Sequence, residues 1–424
     1  MPADRMILGE NAIYSTDCNE TGVNNNVIAV GSSGGGKTMS IIEPRLLETF
    51  NSSLVVTVTK RRIVEKYKPI YKERGYNVID LNFVKPMQSD AAYDPISFIS
   101  SYNDIKFLAA SIVKANPRKE HSHADPYWDD ISESIFEAVT ALGLMTENDP
   151  KLSNIIQIFH KLKIRESGRL IETTLDDIFE KIESKDPNCY AINCWKTFRM
   201  LPAATAGCAY SSLSTVIDTV FTPELLEMID TKKCINIEDI ANQKTVLFIT
   251  TSPVSPSLNY FINMFYAQLF KSLFEYAENL PSGKLPIPVS VLCDDFATGS
   301  RILNFPEYIS IFREKGISAT LLIQSESQLE SLYSQEEAIT IINNCDSYIY
   351  LGGMDIRTCR NISEKLNTTL DDVLWMPIGK EIVFRRGQKP IITDRYNILN
   401  DKRYQEITKQ YEHLLSLRET TERG

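Results

Sequence analysis

The sequence predicts an α/β fold: a twisted, mainly parallel sheet flanked by helices, interrupted by an all-helical inserted segment. Three observations carry that expectation. Short β-branched runs recur along the 424 residues and are apolar almost throughout, as strands covered on both faces must be. Helical patterns alternate with these runs, the order that builds parallel strand-helix-strand units. One run, Val27 to Val30, leads directly into the glycine-rich octapeptide Gly31 to Thr38, GSSGGGKT.

In chain order the expected strands are Val27 to Val30, Leu54 to Thr59, Val78 to Leu81, Val246 to Thr250, Val289 to Leu292, Thr320 to Ile323, Tyr348 to Leu351 and Ile382 to Phe384. Phe261 to Tyr276 reads as one of the helices packed between them. A sheet of this kind takes its ligand at the carboxyl ends of its strands. From about Pro126 to Ile229 the strand signal stops. There Ile131, Ile135, Val139, Leu142 and Met145 fall at helical spacing, and Leu175, Ile178, Phe179 and Ile182 follow Thr174, read as a cap. Thr222 before Pro223 opens a further helix. The expected division is 1–125 and 230–400 for the two parts of a nucleotide-binding domain and 126–229 for the all-α insertion. Residues 401–424 form a C-terminal helix, amphipathic over Tyr404 to Leu415, with a charged end from Arg418 to Gly424 that is expected to fray.

A net charge of -10 excludes a protein that coats nucleic acid by bulk charge, so any DNA contact needs a local patch. Eight scattered cysteines with no C-x-x-C pair read as reduced, buried thiols of a cytosolic protein. No run of eighteen apolar residues exists and no signal segment opens the chain, so membrane work requires a partner or a missing anchor.

The octapeptide has the grammar of a phosphate cradle. Gly31, Gly34, Gly35 and Gly36 allow backbone N–H groups to turn inward where a Cβ would obstruct, with Ser32 and Ser33 completing the loop. Lys37 then reaches the β and γ phosphates of ATP, and Thr38 puts its hydroxyl on Mg²⁺. The helix carrying Met39, Ile41 and Ile42 aims its positive end at the same anion. The competing reading is a Gly-Ser turn that binds nothing.

Such a loop needs carboxylates from a neighbouring strand, and VSVLCDDFATGS supplies Asp294 for Mg²⁺ and Asp295 for the attacking water. Alternatively Asp295 caps the next segment. Gln324, ending a strand in SATLLIQSESQL, is a candidate nucleotide sensor or else a plain polar strand end. Arg313, in ISIFREKGIS, reads either as a solvated helix residue or as a cation delivered across a subunit boundary to a transferred phosphoryl group.

This ordered set resembles the coupling proteins of type IV secretion and conjugation systems, the TraG-type ATPases, RecA-like hexameric motors related to septal DNA translocases. The resemblance rests on GSSGGGKT, YNVIDLNFVKPMQSDAAYDPI, DPYWDDIS, LCDDFA, NFPEYISIFREKGI, IQSESQL and NNCDSYIYLGGMDIRTCRNIS, which span about Asn24 to Lys365. It implies ATP hydrolysis, with Mg²⁺, coupled to transfer of single-stranded DNA with its relaxase, or of proteins, into a secretion channel. The helical insertion corresponds to an all-alpha domain implicated in choosing substrates. By position, Lys37 and Thr38 are the Walker A pair, Asp294 and Asp295 the Walker B pair, Gln324 the sensor and Arg313 the trans-acting finger. The family usually has Asp-Glu where this chain has two aspartates, and its members commonly begin with membrane-spanning helices. The implied location is the cytoplasmic face of the membrane, through partners or an anchor absent from this chain. Two other readings stay open: a nucleotide-binding receptor or docking platform with little motor activity, and another hexameric P-loop DNA translocase.

Weaker signals are His121, His123 and Asp125, a spacing open to a metal but read as a solvated loop, and Cys189 and Cys194, read as core. The basic clusters Lys60, Arg61, Arg62 and Lys66, and Arg385 with Arg386, lack interleaved aromatics and read as solvated surface.

Overall fold

Each of the eight apolar runs forms a strand of one nine-stranded sheet in the structure, a computed structural model that describes residues 2–114, 127–167, 170–252, 255–296, 298 and 300–422. The strands in chain order are β1 (Arg5–Ile7), β2 (Ile13–Ser15), β3 (Val27–Val30), β4 (Ser53–Val58), β5 (Asn77–Asn82), β6 (Ile164–Ser167), β7 (Leu170–Thr173), β8 (Thr245–Thr250), β9 (Val289–Cys293), β10 (Ile317–Ile323), β11 (Ser347–Tyr350), β12 (Lys380–Arg385) and β13 (Ile391–Asp394). The main sheet has the order β13-β12-β11-β3-β10-β9-β4-β8-β5. Neighbours run parallel from β5 to β11, and only the β11, β12 and β13 pairings are antiparallel.

Residues of β3, β4, β8, β9 and β10 are buried throughout, which is why their sequences show no apolar-polar alternation. Their alternate side chains feed two different cores. Ile28, Val30, Val55, Val291 and Leu321 pack with the helix Pro256–Glu278 and the inserted helices. Val27, Ala29, Val56, Leu292 and Leu322 pack with the helices Glu43–Glu48 and Arg61–Glu73 and with Tyr404 and Ile407 of the terminal helix Lys402–Glu422.

Between β5 and β8 none of the described residues joins the main sheet. It folds into helices including Tyr127–Thr146, Leu152–Lys161, Tyr190–Arg199 and Ala203–Val220. The stacked rings of Phe179 and Trp195, with centroids 4.0 Å apart, and fully buried Ile135, Val139 and Phe159 make their core. Phe221 meets Phe261 edge-on at 5.9 Å, so the inserted helices share a core with the sheet's covering helix. The insertion is not purely helical: β6 and β7 form an antiparallel hairpin. Four-residue strands give too short an alternation to register against the surrounding helical periodicity. Thr174 belongs to that hairpin's closure, its Oγ1 donating to Lys161 O at 2.5 Å, and the helix Asp176–Glu183 starts after Leu175 without a side-chain cap. Thr222 does cap its helix, accepting from Leu225 N.

The terminal helix runs from Lys402 to Glu422. All eight cysteines are free; Cys189, Cys194, Cys293, Cys345 and Cys359 are buried, whereas Cys208 is exposed and Cys18 and Cys234 are half-buried. Among the described residues no helix is long and apolar enough to cross a membrane.

Candidate active site

Sheet order, not sequence distance, assembles the site. β10 lies between β3 and β9, so the loops leaving the carboxyl ends of these three strands emerge side by side. They are the octapeptide, Asp294-Asp295 and Gln324.

The octapeptide is moulded by its glycines. Gly31 N donates to Ile323 O at 3.2 Å and Ser32 N to Gly352 O at 3.1 Å, pinning the loop to the strands on either side. Gly34 and Gly36 hold φ of +73° and +80°, where a side chain is strained. A Cβ on Gly35 would lie 2.8 Å from Ser32 O. This is a cradle that other residues would fill. Lys37 is buried, and its Nζ donates to Gly31 O at 2.5 Å and Ser32 O at 3.0 Å, spanning the loop it belongs to. Burial lowers its pKa, opposed by the charges of Asp295 and Asp294. Thr38 opens a π turn, Thr38–Ile42, that passes into the helix Glu43–Glu48.

Thr38 Oγ1 donates to Asp294 Oδ2 at 2.9 Å across 256 residues of sequence. One hydroxyl and one carboxylate therefore converge beside the cradle, an all-oxygen pair of the kind Mg²⁺ prefers, and the fit of these residues to a magnesium nucleotide is good. Asp294 is buried, and its carboxyl is pushed up to about 6 by burial and by the neighbouring Asp295, against the pull of Thr38 and Lys37. Asp295 is the only non-glycine besides Asn304 and Asn367 with positive φ among the described residues, at +57°. The next helix among the described residues, Phe305–Lys315, follows Asn304, so Asp295 caps no described helix. Gln324 follows β10 and is exposed, and with Asp294, Asp295, Thr57, Thr251 and Asn263 it lines a cavity of 190 Å³ that no residue of the cradle lines.

The sequence profile of the type IV secretory system conjugative DNA transfer family matches residues 4–372. The chain belongs to that family. Solved structures of low identity share its fold. The plasmid coupling protein TrwB in complex with the non-hydrolysable ATP analogue ADPNP superposes with a TM-score of 0.65 at 17% identity, covering 88% of this chain and 85% of that one. TrwB with ADP and Mg²⁺ gives 0.57 at 16%, covering 93% and 95%. VirB4 of Thermoanaerobacter pseudethanolicus gives 0.56 at 11%, covering 94% and 97%. No protein of curated function matches the sequence. The fold is thus that of the P-loop NTPases, and the family that of type IV secretion coupling proteins.

In this family member Arg313 stands apart from the other candidates. It ends the helix that leads into the first residue of β10, at the edge of the sheet opposite the cradle. Its Nη2 donates to Cys18 O at 3.2 Å, and around it lie Ser290 and Ser318 from the opening residues of β9 and β10. The chain does not bring Arg313 to its own Lys37.

Several polar groups of the site carry no sequence motif. Thr57 and Thr59 are legible only as a polar ending to an apolar strand, and Arg395 has no such signal. The guanidinium of Arg395 donates to Gly35 O and Leu351 O. The basic clusters are not uniformly solvated. Arg61 pairs with buried Asp80, with Nη1 2.6 Å from Oδ1, and Lys66 is buried against Glu43 and the Tyr404 hydroxyl. Arg385 is buried with its guanidinium 4.1 Å from the centre of the Tyr14 ring, while Lys60, Arg62 and Arg386 are exposed. His121, His123 and Asp125 lie outside the described residues. Among the described residues no group of three or more His, Cys, Asp or Glu side chains is placed to hold a metal.

Proposed function

We propose that this chain is an ATP-hydrolysing coupling protein that recruits single-stranded DNA with its relaxase, or proteins, and drives them into a type IV secretion channel. The observation that supports the reading is the 2.9 Å hydrogen bond between Thr38 and Asp294, the contact expected between the two halves of a Walker site. Lys37, now bonded to the loop's own carbonyls, exchanges Gly31 O and Ser32 O for phosphate oxygens, for which its ammonium is the stronger partner. Thr38 and Asp294 would hold Mg²⁺, which neutralises triphosphate charge when bound. Asp295 orients the attacking water and takes its proton as the new P–O bond forms and ADP leaves. Gln324, beside Asp295 on the cavity wall, reads whether the γ phosphate is present. Arg313 serves the site of the next subunit in a homohexamer at the cytoplasmic face of the membrane. The inserted helices select the cargo.

A Mg²⁺-dependent phosphate-release assay on the full chain, with and without single-stranded DNA, tests the reading. Activity that rises with DNA and vanishes in Lys37→Ala supports the motor. Nucleotide binding without turnover under either condition leaves a receptor or docking platform instead.

A further inference from the structure

Glu381 is a carboxylic acid that the nucleotide reading leaves without work. It is fully buried on β12, and neither Oε1 nor Oε2 has a hydrogen-bond partner among the described residues. A buried carboxyl is costly unless partnered, so an unpartnered one marks a group awaiting something. Its surroundings are tight. A Cβ on Gly9 would fall 2.6 Å from Glu381 Oε1 and 2.6 Å from Thr393 Cγ2, so the turn after β1 closes over the carboxyl only because residue 9 lacks a side chain.

The edge hairpin brings an opposite charge within electrostatic reach. Glu381 pairs in register with Thr393, and Arg395 lies two residues beyond, on the same face by the period of an extended chain. Arg395 N donates to Gly379 O at 2.8 Å, so the ladder holds to that point. Each charge acts on the other, Arg395 drawing the Glu381 carboxyl down and Glu381 drawing the guanidinium up. Yet the guanidinium does not bond to Glu381. Its Nη1 and Nη2 reach Gly35 O in the phosphate loop and Leu351 O at the end of β11, and its Nε reaches Lys380 O at 3.4 Å.

We infer that Arg395 is a positioning residue for the phosphate loop with two seats: the carbonyls of Gly35 and Leu351, which hold the loop in its receiving shape, and the carboxylate of Glu381, which takes the guanidinium away. A planar fork suits the first seat because one group spans two carbonyls from different strands, a geometry a lysine ammonium does not supply. The second seat gains strength only when Glu381 is ionised. Burial pushes that carboxyl up to about 8, so near neutrality it stays protonated and the guanidinium rests on the loop. The other charged groups nearby are engaged, among them Lys37, which Arg395 repels and which Gly31 O and Ser32 O hold. Lys380 Nζ and Asp394 Oδ1 pair at 2.8 Å, and Glu10 Oε2 accepts from Asn397 N at 3.4 Å.

This inference rests on the nucleotide-binding reading, and the test separates the two. Binding of mant-ATP with Mg²⁺ to the full chain is measured from pH 7 to pH 9 for wild type, Lys37→Ala, Arg395→Ala, Arg395→Lys and Glu381→Gln. The expected wild-type affinity falls by about tenfold across that range, the effect of breaking one hydrogen bond made by a charged group. Glu381→Gln keeps the wild-type affinity at pH 7 and shows little of the fall. Arg395→Ala binds about tenfold more weakly at pH 7, and Arg395→Lys does not restore it. Wild type that fails to bind, or binds no better than Lys37→Ala, removes the nucleotide reading and this inference with it. Binding that requires Lys37 but is unchanged in Arg395→Ala, or a Glu381→Gln profile that falls as wild type does, overturns this inference alone. Should Arg395→Ala not fold, the Glu381→Gln profile decides.

Discussion

Asp295 occupies a left-handed backbone conformation at the head of the site, and an L side chain holds that conformation at a cost of about 1 kcal/mol. A strained position that lines the cavity beside Asp294 fits the water-orienting role proposed for Asp295. Two substitutions separate these contributions. Asp295→Gly is expected to unfold at the same temperature as wild type or higher, because glycine adopts this φ freely, while hydrolysis falls by roughly 10²-fold or more with loss of the water-orienting carboxylate. Asp295→Glu restores the carboxylate one methylene further out, as in the family's usual pair, and is expected to keep measurable turnover. Thermal unfolding and phosphate release on the same preparations check both. A glycine variant that hydrolyses ATP at the wild-type rate would remove Asp295 from the mechanism.

The elements were legible in unequal measure, for physical reasons. Strands such as Val246 to Thr250 are buried on both faces and announce themselves as unbroken apolar runs, and Gly31 to Thr38 is local enough to read as one word. What no run of letters states is that β10 comes to lie between β3 and β9, the adjacency that joins Thr38 to Asp294. β13 and the hairpin β6-β7 escaped because short, half-exposed strands lean on their partners more than on their own pattern. Arg395 escaped because it bonds to main-chain carbonyls, which have no residue signature. At the foot of the insertion, Asp94 ties two elements together. It caps the 3₁₀ turn Pro95–Phe98 by accepting from Ile96 N at 3.0 Å and also accepts from Leu152 N at 3.3 Å. Burial nevertheless pushes its carboxyl up to about 6, ahead of those backbone bonds. The folded protein therefore keeps a proton that the unfolded chain, with an ordinary aspartate, has already released. Stability from this group is fully present below about pH 4 and is lost as pH rises through 6. Asp94→Asn, which keeps an accepting oxygen for both N–H groups, is expected to remove this slope, making the variant more stable than wild type by about 1–3 kcal/mol at pH 7 and equal to it near pH 4. Urea unfolding at the two pH values checks this, and a constant difference between the proteins would contradict it.

At the scale of the whole molecule the question is why Arg313 lies where it does. It stands before the first residue of β10, and the cradle follows Val30 of β3, which pairs with Ile323, the last residue of β10, so a seven-residue strand of about 20 Å separates it from its own Lys37. An exposed arginine at that distance contributes nothing to hydrolysis within the chain. It contributes across a boundary if a neighbouring copy presents its cradle to this edge, which a head-to-tail ring does for every subunit. Such a site takes Lys37 from one chain and Arg313 from the next. Lys37→Ala and Arg313→Ala should each be inactive alone, and mixing them should restore activity, because about a quarter of the interfaces in a randomly mixed ring then join an intact Lys37 to an intact Arg313. The measurement is phosphate release after the two variants are mixed under conditions that exchange subunits, with native mass determining the ring size in parallel. Activity that stays absent in a mixed ring of confirmed composition would show that no site is shared between chains. Arg313→Ala that alone hydrolyses ATP at the wild-type rate would make Arg313 a surface residue, with hydrolysis complete within each subunit.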